Sequence, residues 1–338
     1  MFDNLDVVGM LASTWDLLIG KKEPEKEKED NFYLKEVNPI KFNYRPKFLN
    51  EYIGQERAKD LICINLEKIA KIKFVHFLIS GTKGCGKSTL ANVIVNEIGF
   101  EITWHIAGDF TKQALIDFLM KNEESTIPQA LFVDEIHNLN KQLAEYMYTI
   151  LEDFILPEAG NPRLKPFIFI GATTDKNLLV KRFAPLVDRC GCDIVLEQYE
   201  AKDMKEILKQ YNEKVFKLDI PEEIYDILSK NTRFTPRIAL SFFDDYVVTK
   251  DINRVLTAHR VIKDSLTTTD IKILQHLGEM NKPVGVEALA MIAGITREDY
   301  TYILEPFLIF NNYLTRRARG REITNKGKEL LQTIKEEK

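Results

Sequence analysis

The sequence is poor in cysteine. Only Cys63, Cys85, Cys190 and Cys192 occur in 338 residues, and no two have Cys-x-x-Cys spacing. A disulfide scaffold needs more of them, and a thiolate zinc site needs that spacing. A reducing compartment suits such a chain, and a cytoplasmic location is expected. Long apolar runs are also missing. None approaches the ~18 residues of a membrane-spanning helix, so no membrane segment is expected. The start carries no basic region: Asp3 and Asp6 open it, and Asp16 interrupts its apolar stretch. It does not read as a secretory signal. Excess positive charge is absent too, because 47 Lys and Arg face 51 Asp and Glu, a net −4. Any contact with nucleic acid must come from a local patch.

What remains is ordinary globular material, 45% apolar and 29% charged. At about 100–200 residues per domain the length suits two or three domains. Residues 1–20 space their apolar side chains as a helix does, and Glu23 to Asp30 (EPEKEKED) reads as a solvated linker. Residues 1–37 are therefore expected to be an N-terminal segment with a charged linker. Its helix either packs on the main body or docks on a partner.

From residue 38 the texture changes. Phe74–Ile79, Ala130–Val133 and Pro166–Ala172 are short, β-branched or aromatic runs, and read as buried strands. Leu61–Ile72, Leu90–Ile98 and Leu143–Phe154 read as the helices between them. Strands alternating with helices predict an α/β fold with a parallel sheet. Beyond about residue 200 the strand signal fades, and Asp203–Tyr211, Pro221–Ser229 and Pro236–Thr249 read as helices. From Thr267 the pattern resets. Helices at Thr269–Leu277, Val286–Ala293 and Arg297–Phe310 lead to Tyr313-Leu314-Thr315, a basic turn and Glu322-Ile323-Thr324. Helices followed by a small hairpin predict a winged helix.

Gly81-Thr82-Lys83-Gly84-Cys85-Gly86-Lys87-Ser88 matches GxxxxGK[ST] between a predicted strand and a predicted helix. Gly84 and Gly86 permit a backbone that aims N–H groups at phosphate oxygens. The helix that begins near Ser88 and Thr89 adds its positive end. Lys87 is placed for the β and γ phosphates, and the Ser88 hydroxyl for Mg2+. Cys85 is a small residue that the loop tolerates. Asp134-Glu135 ends the next buried strand, on the side where open α/β sheets bind ligands. Asp134 is suited to Mg2+, and Glu135 to orienting the attacking water. His137 is expected in a polar network rather than in catalysis.

With these residues the chain resembles the AAA+ ATPases, and among them the RuvB family, over roughly residues 40–335. Arg45-Pro46-Lys47 and Tyr52-Ile53-Gly54-Gln55 are similar to the family's adenine-side segment, which implies that Tyr44, Arg45 and Ile53 line the nucleotide. Glu197-Gln198-Tyr199 resembles the stretch where a tyrosine, here Tyr199, lines the same pocket. Ile168 to Thr174 looks like the sensor 1 strand, with Thr174 favoured over Thr173. Phe234-Thr235-Pro236-Arg237 resembles sensor 2, with Arg237 reaching the nucleotide. Lys282 to Ala290 and Glu305 to Ile309 resemble the family's winged helix. Its arginine-rich wing is matched by Arg316, Arg317, Arg319 and Arg321, of which Arg316 and Arg321 fall on the DNA-contacting positions. Residues 311–328 hold six Lys and Arg against one acid, a net +5, as phosphate contacts require.

The resemblance implies an AAA+ P-loop NTPase domain over 38–199, an α-helical lid over 200–264 and a C-terminal winged-helix domain over 265–338. It implies ATP and Mg2+ as cofactors, and duplex or four-way junction DNA as partner. It further implies a homo-oligomeric ring, a hexamer, and ATP-driven Holliday junction branch migration in recombination and repair. The alternative is an AAA+ clamp or helicase loader that works as an ATP-binding switch. Three departures stand out. Val187 replaces the arginine that the family aims at its neighbour's nucleotide, which makes Arg189 the expected trans contact and Arg182 a substitute. The stretch between Phe154 and Pro166 is shorter than the hairpin that engages RuvA, so a RuvA-like partner is left open. Residues 1–37 have no counterpart in the family.

Overall fold

Phe77–Ser80 (β1) is buried at every position, as is Ile168–Thr173. Only a strand covered on both faces by helices has that pattern. The structure, a computed structural model, describes residues 44–158, 160–280 and 282–336. The expected segment 1–37 lies outside them. In chain order, Glu56–Lys71 (α1) precedes β1, and Lys87–Glu97 (α2) follows it. Next come Glu101–Ile106 (β2), Lys112–Glu124 (α3), Gln129–Asp134 (β3), Lys141–Asp153 (α4), Ile168–Thr173 (β4), Lys176–Arg189 (α5) and Cys192–Val195 (β5).

The five strands form one parallel sheet in the order β2-β3-β4-β1-β5. Ser80 lies opposite Thr173, and Val133 opposite Gly171. β4 thus separates β1 from β3, and the three strands end on one edge. Successive residues along a strand face opposite sides. Leu78, Leu131, Val133 and Phe169 feed one core, while Phe77, Ile79, Phe132 and Ile170 feed the other.

The predicted strands at 74–79, 130–133 and 166–172 are β1, β3 and β4, displaced by a few residues. β2 and β5 escape the sequence reading because they are the edges of the sheet. Trp104 and Ile106 stay 40% and 61% exposed, so no continuous apolar run marks β2. Helix α5 was not legible either. It carries Pro185 inside and a break at Phe183 (φ −141°, ψ 46°), since proline has no N–H for the helical ladder.

The rest of Tyr44–Lys338 packs with this sheet as one unit. Ala201–Tyr211 (α6), Glu222–Asn231 (α7), Pro236–Thr249 (α8) and Ile252–Ala258 (α9) close around Met204, Leu208, Tyr225 and Phe243. A small hairpin, Val261–Lys263 (β6) with Leu266–Thr267 (β7), leads onward through Asp264 and Ser265, both at positive φ. Thr268–Met280 (α10), Val286–Ala293 (α11), Arg297–Asp299 (α12), Glu305–Phe310 (α13), the hairpin Leu314–Arg317 (β8) with Gly320–Ile323 (β9), and Asn325–Glu336 (α14) complete the chain. The predicted helix Arg297–Phe310 is continuous but widens into a π-helical stretch at Tyr300–Leu304. Pro306 has no N–H for the carbonyl four residues back, a common cause of such widening. Val284 bridges to Arg321, which adds a third edge to the wing. No helix among the described residues is long and apolar enough to cross a membrane.

Candidate functional site

The loop between β1 and α2 is shaped by Gly84 (φ 83°) and Gly86 (φ 104°). A Cβ on Gly84 would sit 2.9 Å from the Thr235 methyl, and one on Gly86 2.8 Å from the Tyr52 hydroxyl. Both glycines therefore answer a strained backbone and a close neighbour. Lys87 is buried, its ammonium held by the carbonyls of Gly81 (2.9 Å) and Thr82 (3.1 Å). Ser88 and Thr89 follow in the first turn of α2, and Cys85 is buried beneath the loop. Burial pushes the Cys85 thiol up, with Lys87 opposing.

Asp134 ends β3, and its carboxylate accepts the Glu135 N–H at 2.9 Å. Burial raises the Asp134 carboxyl above its usual range; Glu135 adds to the rise, while that N–H, Lys87 and Arg237 pull against it. Glu135 turns the chain at φ 50°. Its Oε2 accepts both the N–H (3.0 Å) and the hydroxyl (2.8 Å) of Thr174, at the end of β4. Thr173 is fully buried instead, its Oγ1 2.8 Å from His137 Nδ1 and accepting the Asp175 N–H. Burial lowers the His137 pKa, so that ring stays neutral near pH 7 and belongs to a polar network. Among the described residues no three His, Cys, Asp or Glu gather as a metal cluster. A magnesium ion on phosphates needs only one or two protein oxygens.

Two segments close the other side. Gln55 exchanges hydrogen bonds with the Glu197 backbone, donating to its carbonyl (2.8 Å) and accepting its N–H (3.0 Å). This sets Tyr199 beside Tyr52, hydroxyl to hydroxyl at 3.1 Å. Tyr52, absent from the sequence candidates, guards Gly86 more directly than Ile53, which is half-buried. Tyr44 packs on the helices after β5, and its buried hydroxyl has no hydrogen-bond partner among the described residues. Arg45 is exposed. Arg237 sits in the first turn of α8, exposed, with its Cβ 3.3 Å from the Cβ position at Gly84.

Arg189 is engaged within its own chain. It donates to the carbonyls of Tyr148 and Pro185, each at 2.8 Å, and pairs with Glu152. Arg182 is held by the carbonyls of His137 and Leu139. It braces the turn after Glu135. Val187 packs partly buried against the core.

On the wing, Arg316 and Arg321 converge on Glu305. Arg316 donates through Nε (3.1 Å) and Nη2 (2.8 Å), and Arg321 through Nε and Nη2 (3.1 Å). Glu305 is fully buried. Burial alone would raise its pKa, but the two arginines bring it below the ordinary value. Arg317 pairs with Glu322, and Arg319 is exposed at the tip. Nothing in the sequence pairs Glu305 with residues 11 and 16 positions on; the contact exists only once α13 packs on the hairpin.

Comparison with known proteins places both halves. Residues 44–196 match the profile described as the Holliday junction DNA helicase RuvB P-loop domain, and residues 263–332 the RuvB C-terminal winged helix domain. The Holliday junction branch migration complex subunit RuvB of Fervidobacterium nodosum is 32% identical over 314 residues, 86% of this chain and 89% of that one. The subunit of the same name from Mycoplasmopsis pulmonis is 30% identical over 315 residues, covering 86% and 98%. The solved Thermotoga maritima RuvB Holliday junction branch migration motor superimposes with a TM-score of 0.73 at 31% identity, over 85% of this chain and 98% of that one.

Proposed function

The chain belongs to the RuvB family, and from that premise we propose that it is an ATP-driven motor that moves the branch point of Holliday junction DNA. Glu135 carries the reading. It stands at the end of a buried strand, gripped by Thr174 from the strand that runs between it and the phosphate loop. That grip aims a carboxylate suited to orienting water, and ties it to a residue able to register the γ-phosphate. Lys87 now rests on two loop carbonyls; phosphate oxygens would replace them.

Mg2+ fits the residues present. Asp134 is an acid held largely out of water, and among the described residues it forms no ion pair. With the Ser88 hydroxyl it would hold the ion, which when bound supplies charge neutralisation on the phosphates. Tyr44, Arg45, Ile53, Gly84, Cys85, Gly86, Thr89 and Tyr199 would surround the rest of ATP, with Arg237 reaching in from α8. The wing arginines would grip duplex or four-way DNA by its phosphates, giving sequence-independent, salt-dependent binding.

A homo-oligomeric ring, a hexamer, belongs to the same proposal, as do the cytoplasm and a role in recombination and repair. Arg189 is the proposed trans residue, and it would have to leave Glu152 to act. A RuvA-like partner is left open: where the family's hairpin would stand, Ile155 bridges to Arg163, and Glu158 pairs with Lys112 and accepts from the Tyr146 hydroxyl. The likeness to RuvB over both halves favours the motor over the loader.

The test is movement. Wild type with ATP and Mg2+ should resolve a labelled synthetic four-way junction into duplex arms, and Lys87→Ala should leave it intact. ATP turnover with no strand movement under any junction condition would sink the motor and leave a loader.

A further inference from the structure

The segment Arg297–Phe310 touches three places at once. The Tyr302 hydroxyl donates to Asp175 Oδ2 at 3.2 Å. Asp175 directly follows Thr174, and its other oxygen caps α5 through the Leu178 N–H at 2.8 Å. Three residues after Tyr302, Glu305 takes the two wing arginines. Two residues further, the ring of Phe307 lies 4.9 Å from the Arg233 guanidinium.

Arg233 in turn leads to the opposite edge of the nucleotide site. Its guanidinium pairs with Asp270, a fully buried acid that also accepts the N–H and hydroxyl of Thr267, each at 2.7 Å. Its backbone N–H donates to Ser265 Oγ at 2.8 Å. Arg233 and Phe234 both hold positive φ, 53° and 51°. Non-glycine residues keep that conformation only where their surroundings impose it. Next come Thr235, packed on Gly84, and Arg237. One short helix with a widened turn at its centre therefore contacts the wing, the residue after Thr174 and the residue that fixes the approach to Arg237. Widened turns of this kind recur at functional sites.

We propose that Tyr302 and Arg233 are positioning residues through which the wing's hold on DNA reaches both edges of the nucleotide site. The proposal rests on the motor reading. Phosphates that draw on Arg316 and Arg321 pull through them on Glu305, and the helix that carries Glu305 also carries Tyr302 and Phe307. A shift of that helix moves Asp175 beside Thr174 and Arg233 ahead of Arg237 together. Contiguous contacts supply the path, and a coupling measurement decides whether energy runs along it. The bland alternative is that Tyr302 only glues the winged helix to the sheet domain.

The experiment measures ATP turnover, kcat and KM separately, with and without a synthetic four-way junction. It compares wild type, Tyr302→Phe and Arg233→Lys, with junction affinity read in parallel by fluorescence anisotropy. Tyr302→Phe removes one hydroxyl and keeps the ring. Arg233→Lys keeps the charge for Asp270 but loses the planar stack on Phe307. Both variants should keep the KM for ATP, the turnover without DNA and the junction affinity. Stimulation by the junction should fall about fivefold or more, the scale of an ordinary coupling. Stimulation equal to wild type in both variants overturns the inference and leaves the motor reading standing. Stimulation lost in step with junction affinity also overturns it, because the residues would then serve DNA binding. A wild type that the junction never stimulates overturns the motor reading and this inference with it.

Discussion

Asp134, at the end of β3, and Glu305, at the base of the wing, are both acids taken largely out of water, and their surroundings treat them in opposite ways. Asp134 accepts one backbone N–H, and burial raises its pKa against the pull of that N–H, Lys87 and Arg237. Glu305 is buried more deeply, yet two arginines carry its pKa below the ordinary value. Burial penalises the charged form, and hydrogen bonds or cations that favour that form reverse the sign. A carboxyl raised by burial at the end of a buried strand is a candidate functional position. An acid already compensated is finished architecture: Glu305 aims guanidinium groups, and its own charge is spent within the chain. Asp134 is thus held raised beside the phosphate loop, while the wing arginines are already engaged by Glu305.

The sharpest way to break that contrast is Asp134→Asn. The amide oxygen keeps the Glu135 N–H, and only the charge goes. ATP turnover should fall about 10²–10³-fold, the scale for losing one preorganised group at a charged transition state. The melting temperature without ligand should stay level or rise, because a poorly solvated charge has gone. A steep drop in melting temperature would make Asp134 a structural acid like Glu305.

Glu305→Ala should do the reverse. Removing one member of a buried ion pair strands the others. The cost should be about 3 kcal/mol, the low end for such a change, because the Arg316 side chain is 56% exposed. Urea denaturation would show a lower midpoint at an unchanged slope. Junction affinity should fall with it, and binding of a fluorescent ATP analogue should not. An unchanged midpoint would mean that the wing arginines need no aiming.

The same contrast explains what the sequence revealed. The phosphate loop was legible because its chemistry lies in consecutive residues and in backbone angles that glycine marks. Asp134 and Glu135 were legible because they close a continuous apolar run. The wing was legible as charge but not as geometry, since its organiser, Glu305, sits 11 residues before Arg316 on another element. Arg233 carried no signal at all: positive φ in an arginine is imposed by Asp270 and Ser265, which only folding brings near. Arg182 and Arg189 read as free cations, and the fold gives each of them carbonyl partners instead. Edge strands β2 and β5 were missed because alternate residues face water.

The finest test of the contrast is the pH dependence of stability. Glu305 has a folded pKa below its ordinary 4.5. Its contribution is therefore fully present above that value and is lost as pH falls through the lowered one. Asp134 has a folded pKa above its ordinary 3.8, so its contribution is present below that value and lost as pH rises through the raised one. Melting curves taken from neutral pH down past the ordinary carboxylate values should separate them, since Glu305 is lowered from its ordinary value and Asp134 raised from its own. The wild-type advantage over Glu305→Gln should shrink as the solution is acidified. The wild-type position relative to Asp134→Asn should improve over the same range. The two difference curves must then run with opposite slopes. Parallel curves would mean that the arginines do not offset the burial of Glu305, and that neither acid differs from the other in kind.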